Sequence, residues 1–211
     1  AELFGVASRE MDKALIFAKE FGAKKAFGSY DELINHPEVD VVYIATPHSM
    51  HYELTLKCIE SGKAVLCEKP MGLDAIQVKE MIDFARSKKV FLMEGIWTRL
   101  IPATKTFLKL MDDKIIGEIK NVRADFGFAS IHSKESRIFN KKLGGGSLLD
   151  VGIYPVYLSL LLLGEPKSIQ VEAEMTDTGV DKNCTMMFHY ENGAIANLFS
   201  SIAEKTPTDG E

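Results

Sequence analysis

The chain has 211 residues, 46% of them hydrophobic and 26% charged, enough apolar material for one large core or two modest ones. A net charge of −5 argues against a general nucleic-acid surface, which needs a basic excess to displace counterions. The three cysteines, Cys58, Cys67 and Cys184, include no CxxC pair, so they read as reduced core residues and not as a disulfide or zinc framework.

The first residues lack the basic and apolar regions of a secretory signal, which with the reduced thiols points to a cytoplasmic protein. Leu3-Phe4-Gly5-Val6-Ala7 reads as a strand entered partway through a fold. Met11, Ala14, Leu15 and Ala18 then repeat at helical spacing. Val41-Val42-Tyr43-Ile44-Ala45, Ala64-Val65-Leu66-Cys67 and Val90-Phe91-Leu92-Met93 are continuous apolar runs, the pattern of parallel strands covered on both faces. Val78, Met81, Ile82 and Ala85 place a helix between the last two. Strand, helix, strand at this spacing predicts an α/β doubly wound sheet of Rossmann type, a dinucleotide-binding domain over residues 1–96.

The rhythm changes beyond that point, and residues 97–211 read as a second, α+β domain. A helix is expected over 103–111 and an alternating strand over 119–126. A polar, basic loop leads to Gly144-Gly145-Gly146 and an apolar helix that stops at Gly164 with Pro166 beyond. The apolar run 148–163 contains Asp150, Gly152 and Pro155, so it is expected to be a buried helix and not a membrane span. Residues 169–175, 184–190 and 194–200 read as consecutive antiparallel strands, the last two joined by a Glu191-Asn192-Gly193 hairpin turn.

Ligands of open α/β sheets bind outside the carboxyl ends of the strands, where three polar clusters fall. Ser8-Arg9 follows the first strand. An acid there would suit the ribose of NAD, whereas an arginine suits the 2′-phosphate of NADP, so NADP is the favoured cofactor with NAD possible. Arg9 could equally be a solvated loop residue. Thr46-Pro47-His48 follows the next strand, and His48 and His51 make an HxxH pair. No third ligand accompanies them, so a place lining the cofactor cleft, or for His51 a plain helix start, is expected instead of metal.

Glu68-Lys69-Pro70 follows the third. The proline biases Lys69 to an extended backbone, and the strand carries the lysine toward the cleft. Trp97 and Arg99 follow the fourth strand and are grouped with the cofactor residues; Trp97 could also be filler or a flat wall beside a ring-shaped substrate. Asp150 and Tyr154, four apart on the helix after the glycines, share a face. Asp150 also has a plain reading, the acid of a Ser147-x-x-Asp150 capping box, and Tyr154 could be an amphipathic core residue. The glycine run is no P-loop, since no Gly-Lys-Ser/Thr follows it.

Three segments carry a resemblance. Val65-Leu66-Cys67-Glu68-Lys69-Pro70-Met71-Gly72, Phe91-Leu92-Met93-Glu94-Gly95-Ile96-Trp97-Thr98-Arg99, and the run from Gly145-Gly146-Ser147 through Asp150-Val151-Gly152-Ile153-Tyr154 resemble the glucose-fructose oxidoreductase/inositol dehydrogenase (Gfo/Idh/MocA) family. Within it they are most similar to the dimeric dihydrodiol dehydrogenases that also act as NADP-dependent D-xylose dehydrogenases. The resemblance implies a Rossmann domain followed by a domain with an open antiparallel sheet that commonly serves for homodimerisation. It implies Lys69 and Tyr154 as catalytic residues, Asp150 holding the substrate, and Glu68 facing the nicotinamide ribose. Most relatives carry histidine where this chain has Tyr154; the dihydrodiol branch has tyrosine.

The chemistry agrees with that assignment. A free phenol with a pKa of about 10 is a poor base near neutrality, and a lysine cation within hydrogen-bonding range makes it a better one. The expected substrate is a small secondary alcohol, a cyclic trans-diol or an aldose, with no nucleic-acid or membrane partner. Another sugar or inositol oxidoreductase of the family, or a non-catalytic nucleotide-binding regulator, stands as an alternative. Set against the family pattern, both domains read as incomplete, with the first strand and its glycine-rich turn missing, so the sequence is expected to be a fragment of a longer protein or a degenerate copy with weak cofactor affinity.

Overall fold

A computed structural model describes residues 1–131 and 135–207. The chain divides into two compact units: Ala1–Thr46 with Met50–Gly95, and Pro47–Ser49 with Ile96–Glu211.

The first unit alternates strands and helices: β1 (Gly5–Ala7), α1 (Met11–Phe21), β2 (Lys25–Phe27), α2 (Tyr30–Ile34), β3 (Val41–Ile44), α3 (His51–Glu60), β4 (Ala64–Cys67), α4 (Ala75–Lys88) and β5 (Leu92–Glu94). All its strand pairs are parallel, β1 with β2 and β3-β4-β5 in that order. This is the arrangement that helical crossovers produce. Val42, Ile44, Val65 and Cys67 point to one face of the sheet and pack with Leu54, Cys58 and Ile59 of α3 and Met81 and Ala85 of α4.

The unbroken apolar runs predicted cover on both faces, and β3 departs from that. It alternates, with Val41 and Tyr43 59% and 57% exposed, because α3 and α4 lie with the opposite face. Burial pushes the thiols of Cys58 and Cys67 up to about 12, so neither is a nucleophile near neutrality. Asp74 caps α4 by accepting from the Gln77 amide, which fixes where the chain re-enters the helical layer after the 68–73 turn.

The second unit contains α5 (Pro102–Asp112), β6 (Asn121–Gly127), α6 (Ile153–Leu163), β7 (Ser168–Met175), β8 (Asp181–His189) and β9 (Ile195–Ser201). Its sheet runs β6-β9-β8-β7. Both pairs made by β8 are antiparallel as expected, and the β8–β9 turn falls at the anticipated Glu191-Asn192-Gly193. The sheet is nevertheless mixed, because β6 runs parallel to β9. A tight hairpin dictates the direction of β9 against β8, whereas β6 returns through a long helical crossover that no local sequence signal orients.

Val122 and Ala124 of β6, Met186 and Phe188 of β8 and Leu198 of β9 form the core of this unit with Val156, Leu158, Leu162 and Leu163 of α6. By length and composition alone, Lys141–Leu163 is long and apolar enough to cross a membrane. Within the unit α6 lays one side on the sheet, while Leu160 on its other side is exposed.

The start of this helix differs from the expected capping box. Ser147 has helical dihedrals and caps nothing with its side chain. Its hydroxyl instead donates to Asp181 at 2.7 Å, and the Leu148 amide donates to the same carboxylate at 2.6 Å. Residues Leu148–Gly152 form a π turn that precedes α6. Such turns add a residue to the helical repeat and often accompany functional side chains. The acid that serves the helix start thus comes from β8, which leaves the Asp150 carboxylate for other partners.

Candidate functional site

In the first unit the chemistry-bearing residues gather where the parallel strands end. Ser8 follows β1, and its hydroxyl accepts from the Glu10 amide at 3.3 Å; Arg9 beside it is exposed. Thr46 follows β3, and its hydroxyl oxygen is buried without a hydrogen-bond partner among the described residues.

Glu68, Lys69 and Pro70 follow β4 in a turn whose Lys69–Pro70 peptide is cis. The Glu68 amide donates to the Ile44 carbonyl at 2.9 Å, and the Met71 amide donates to Glu94 Oε1 at 2.8 Å. The Tyr43 hydroxyl donates to Glu68 Oε1, while Glu68 Oε2 accepts from the Lys69 amide at 3.2 Å. Donation to Glu68, with burial and the Glu68 charge added, pushes the Tyr43 phenol up to about 12, so it remains a protonated donor.

His51 opens α3 and is fully buried. Its Nδ1 lies 2.8 Å from the Pro70 carbonyl and its Nε2 lies 2.9 Å from the Thr46 carbonyl. The ring therefore ties the chain after β3 to the turn after β4, inside this unit.

The second unit holds two further groups. Trp97 and Arg99 lie in a short 3-10 turn, Trp97–Leu100. Trp97 Nε1 donates to the Tyr154 hydroxyl oxygen at 3.2 Å, with the two rings edge to face at 6.3 Å between centroids. The Phe126 ring of β6 also packs near Tyr154, with 5.4 Å between centroids. The lone tryptophan is thus a hydrogen-bonding neighbour of Tyr154 and not mere filler.

Asp150, on the π turn, is buried, and its Oδ1 accepts from Arg137 Nη1 at 3.0 Å. His48, which follows Pro47 and is also buried, brings Nε2 to 3.9 Å from the same oxygen while its Nδ1 lies 2.8 Å from the Gly144 carbonyl. His48 and His51, paired by spacing, therefore belong to different compact units. Among the described residues there is no group of three or more His, Cys, Asp or Glu side chains that could hold a metal ion.

Sequence reasoning passed over Tyr43, Arg137 and Asp181. Tyr43 had a signal, since period-two alternation sets it opposite Val42 and Ile44 and beside the strand end. Arg137 and Asp181 sit in no recognisable motif and reach their partners only through the fold.

The residues present suit a dinucleotide. The parallel strands β3-β4-β5 end side by side, the exposed Arg9 follows β1 ahead of Glu10, and Thr46 has a buried hydroxyl with hydrogen-bonding capacity to spare.

Comparison with known proteins agrees with this geometry. A model described as the oxidoreductase family with an NAD-binding Rossmann fold matches residues 1–96, and one described as the GFO/IDH/MocA C-terminal domain matches residues 104–210. The trans-1,2-dihydrobenzene-1,2-diol dehydrogenase of Mus musculus is 40% identical over 208 residues, 98% of this chain and 62% of the relative. That of Homo sapiens is 40% identical over 203 residues, 95% of this chain and 60% of the relative. The chain therefore spans about three-fifths of the length of the curated relatives it matches.

Among solved structures, a 3-ketoreductase from Actinomadura kijaniata in complex with NADP and TDP-benzene superposes with a TM-score of 0.89 at 27% identity, covering 99% of this chain and 64% of that one. An aldose-aldose oxidoreductase from Caulobacter crescentus gives 0.88 at 28% identity, covering 97% and 64%. Matched by both models over nearly its whole length, the chain belongs to the Gfo/Idh/MocA oxidoreductase family.

Proposed function

We propose that the whole protein is an NADP-dependent dehydrogenase of secondary alcohols, acting on a cyclic trans-diol or an aldose, with Tyr154 as the acid/base assisted by Lys69. The observation that carries the reading is the contrast between two tyrosines. Tyr43 donates its proton to a carboxylate and is held protonated, whereas the oxygen of Tyr154 accepts an N–H from Trp97. A donor aimed at a phenolic oxygen favours the charged form, the polarity a base needs. The 40% identity to dihydrodiol dehydrogenases supports the substrate class.

In this reading Ser8 and Arg9 hold the adenosine phosphate, Thr46, Pro47, His48, Glu68, Lys69, Trp97 and Arg99 line the remainder of the cofactor cleft, and the buried His51 holds the Thr46 and Pro70 segments in place for it. The bound nicotinamide supplies the hydride-accepting carbon. Asp150 accepts a hydrogen bond from a substrate hydroxyl and fixes which carbon is presented. Tyr154 removes the proton from the reacting hydroxyl, and the Lys69 ammonium stabilises the phenolate left behind. In the reductive direction the same hydroxyl returns the proton. β7, an edge strand exposed along its whole length, supports a homodimer through the sheet, and the three buried free thiols support a reducing, cytoplasmic setting.

The test is turnover by the full-length protein of trans-benzene dihydrodiol and of D-xylose, followed as formation of reduced NADP. Lys69→Met and Tyr154→Phe should each lower kcat at least about a hundredfold, the usual size of a lost acid/base contribution. Failure to oxidise either substrate class removes the functional reading, and near-normal rates in both variants remove the mechanism.

A further inference from the structure

Asp150 is a buried carboxylate, and a buried charge persists only where hydrogen bonds and countercharge compensate it. It is not consumed by the helix start, because Asp181 serves the Ser147 hydroxyl and the Leu148 amide. Arg137 donates to Asp150 Oδ1 at 3.0 Å. The neighbouring histidine does less for that oxygen. His48 Nδ1 faces the Gly144 carbonyl, which only accepts, so Nδ1 carries the hydrogen; Nε2, at 3.9 Å from Asp150, lies beyond hydrogen-bonding distance.

The glycine run explains how Arg137 comes to be there. A Cβ on Gly145 would stand 2.3 Å from the Ile138 carbonyl oxygen and 2.7 Å from that of Arg137. The Gly146 amide donates to the Ile138 carbonyl at 2.9 Å, and the Gly145 amide donates to the Asn140 carbonyl at 3.0 Å. Gly146 itself has a φ of 117°, and a Cβ there would collide with Asp181 at 2.1 Å. The run is thus a clasp that seats the Arg137–Phe139 turn on one side and admits Asp181 on the other. With its backbone pinned, Arg137 delivers one arm of its guanidinium to Asp150 while its side chain remains 51% exposed.

We infer that Arg137 is the positioning residue of Asp150, seated by the 144–146 glycine clasp so that the buried carboxylate stays a single-orientation acceptor for a substrate hydroxyl. The inference rests on the proposed reading of Asp150 as the substrate-holding group. Arg137 itself need not touch the reacting atoms. Its planar guanidinium directs Nη1 at Oδ1 of the carboxylate, and a lysine would supply charge without that direction.

The experiment uses the full-length protein with NADP and D-xylose, with two readouts. Steady-state kinetics separate KM from kcat, and calorimetric titration of D-xylose into the cofactor-free protein reports sugar binding without turnover. Arg137→Met should raise KM and the sugar Kd by roughly 10–100-fold, the cost of one hydrogen bond to a charged group, while kcat changes much less. Arg137→Lys should recover part of that loss. Wild-type KM and Kd in Arg137→Met overturn the inference, as does a fall in kcat at unchanged KM.

Should Arg137→Met fail to fold, Arg137→Gln carries the same expectation and the same overturning results. Wild-type protein that binds sugar without turning it over refutes the proposed function and leaves the Kd comparison to decide this inference. Wild-type protein that neither binds nor turns over sugar removes both.

Discussion

At the end of β4, side chains reach in to hold a backbone. His51 bonds the Pro70 and Thr46 carbonyls, Glu94 accepts from the Met71 amide, and Tyr43 steadies Glu68. In residues 144–154 of the second unit a backbone holds side chains instead. There glycines without Cβ atoms let neighbouring segments close in, so Arg137, Asp181 and His48 arrive beside their partners. The first arrangement spreads its stability over several replaceable hydrogen bonds, whereas the second depends on van der Waals clearances that no larger residue can meet. Substitutions should therefore be graded in the first region and abrupt in the second.

The largest effect is expected at Gly145→Ala. The added methyl meets backbone oxygen at 2.3 Å, so a chain segment must move and not merely a rotamer. A loss of about 3 kcal/mol or more, or failure to fold, is expected in denaturant unfolding of the full-length protein. A variant of near-normal stability would show that the Arg137–Phe139 turn is not clasped after all, and the contrast between the regions would collapse.

His51→Gln comes next. It removes a fully buried ring whose two nitrogens each face a backbone carbonyl, whereas glutamine carries its N–H donors on a single nitrogen that cannot take both places. Each forfeited bond costs about 1 kcal/mol, and a buried acceptor left unsatisfied costs about 1–3 kcal/mol. The same unfolding measurement should therefore show a loss of about 2–3 kcal/mol, with the protein still folding cooperatively. A loss as abrupt as that at Gly145 would mean the β4 turn is no more tolerant than the glycine run.

The smallest effect should be at Tyr43→Phe, about 1 kcal/mol or less, since the phenol is more than half exposed and solvent screens its bond to Glu68. Here the pH dependence carries the information. The folded phenol is raised to about 12 against about 10 when unfolded, so the protonated form favours the folded state. Its stabilisation is complete below about pH 10 and is lost as the pH rises toward about 12. The stability difference between wild type and Tyr43→Phe should shrink over that window; a difference that stays constant through it would show that the Glu68 bond does not set the phenol's behaviour.

The same division governs what could be read in advance. Four of the five strands of the first unit announced themselves as apolar runs, and α1 and α4 as 3.6-residue periodicities, because both patterns are local consequences of burial against a neighbouring layer; β2 (Lys25–Phe27) and α2 (Tyr30–Ile34), too short to carry either pattern, did not. The Glu191-Asn192-Gly193 turn was legible for the same reason, its residues carrying the turn geometry themselves. The Ser147-x-x-Asp150 pattern misled because capping boxes are recognised by spacing alone. The actual acid, Asp181, lies on β8, far along the chain from the helix it serves. The parallel pairing of β6 with β9 was equally silent, since no turn joins the two strands.

By itself, then, the sequence determined a parallel α/β unit followed by a helix-and-sheet unit, and it marked Lys69, Asp150 and Tyr154 as residues whose chemistry needed explaining. Only the tertiary structure decided what the second and third of these touch. It gave the helix start to Asp181, turned Asp150 toward Arg137 and set an indole N–H on the Tyr154 oxygen. The reason is physical. Secondary structure follows from interactions a few residues apart, whereas the partner of a buried charge or a phenol is whichever group the packing brings within about 3 Å, and no spacing rule encodes that.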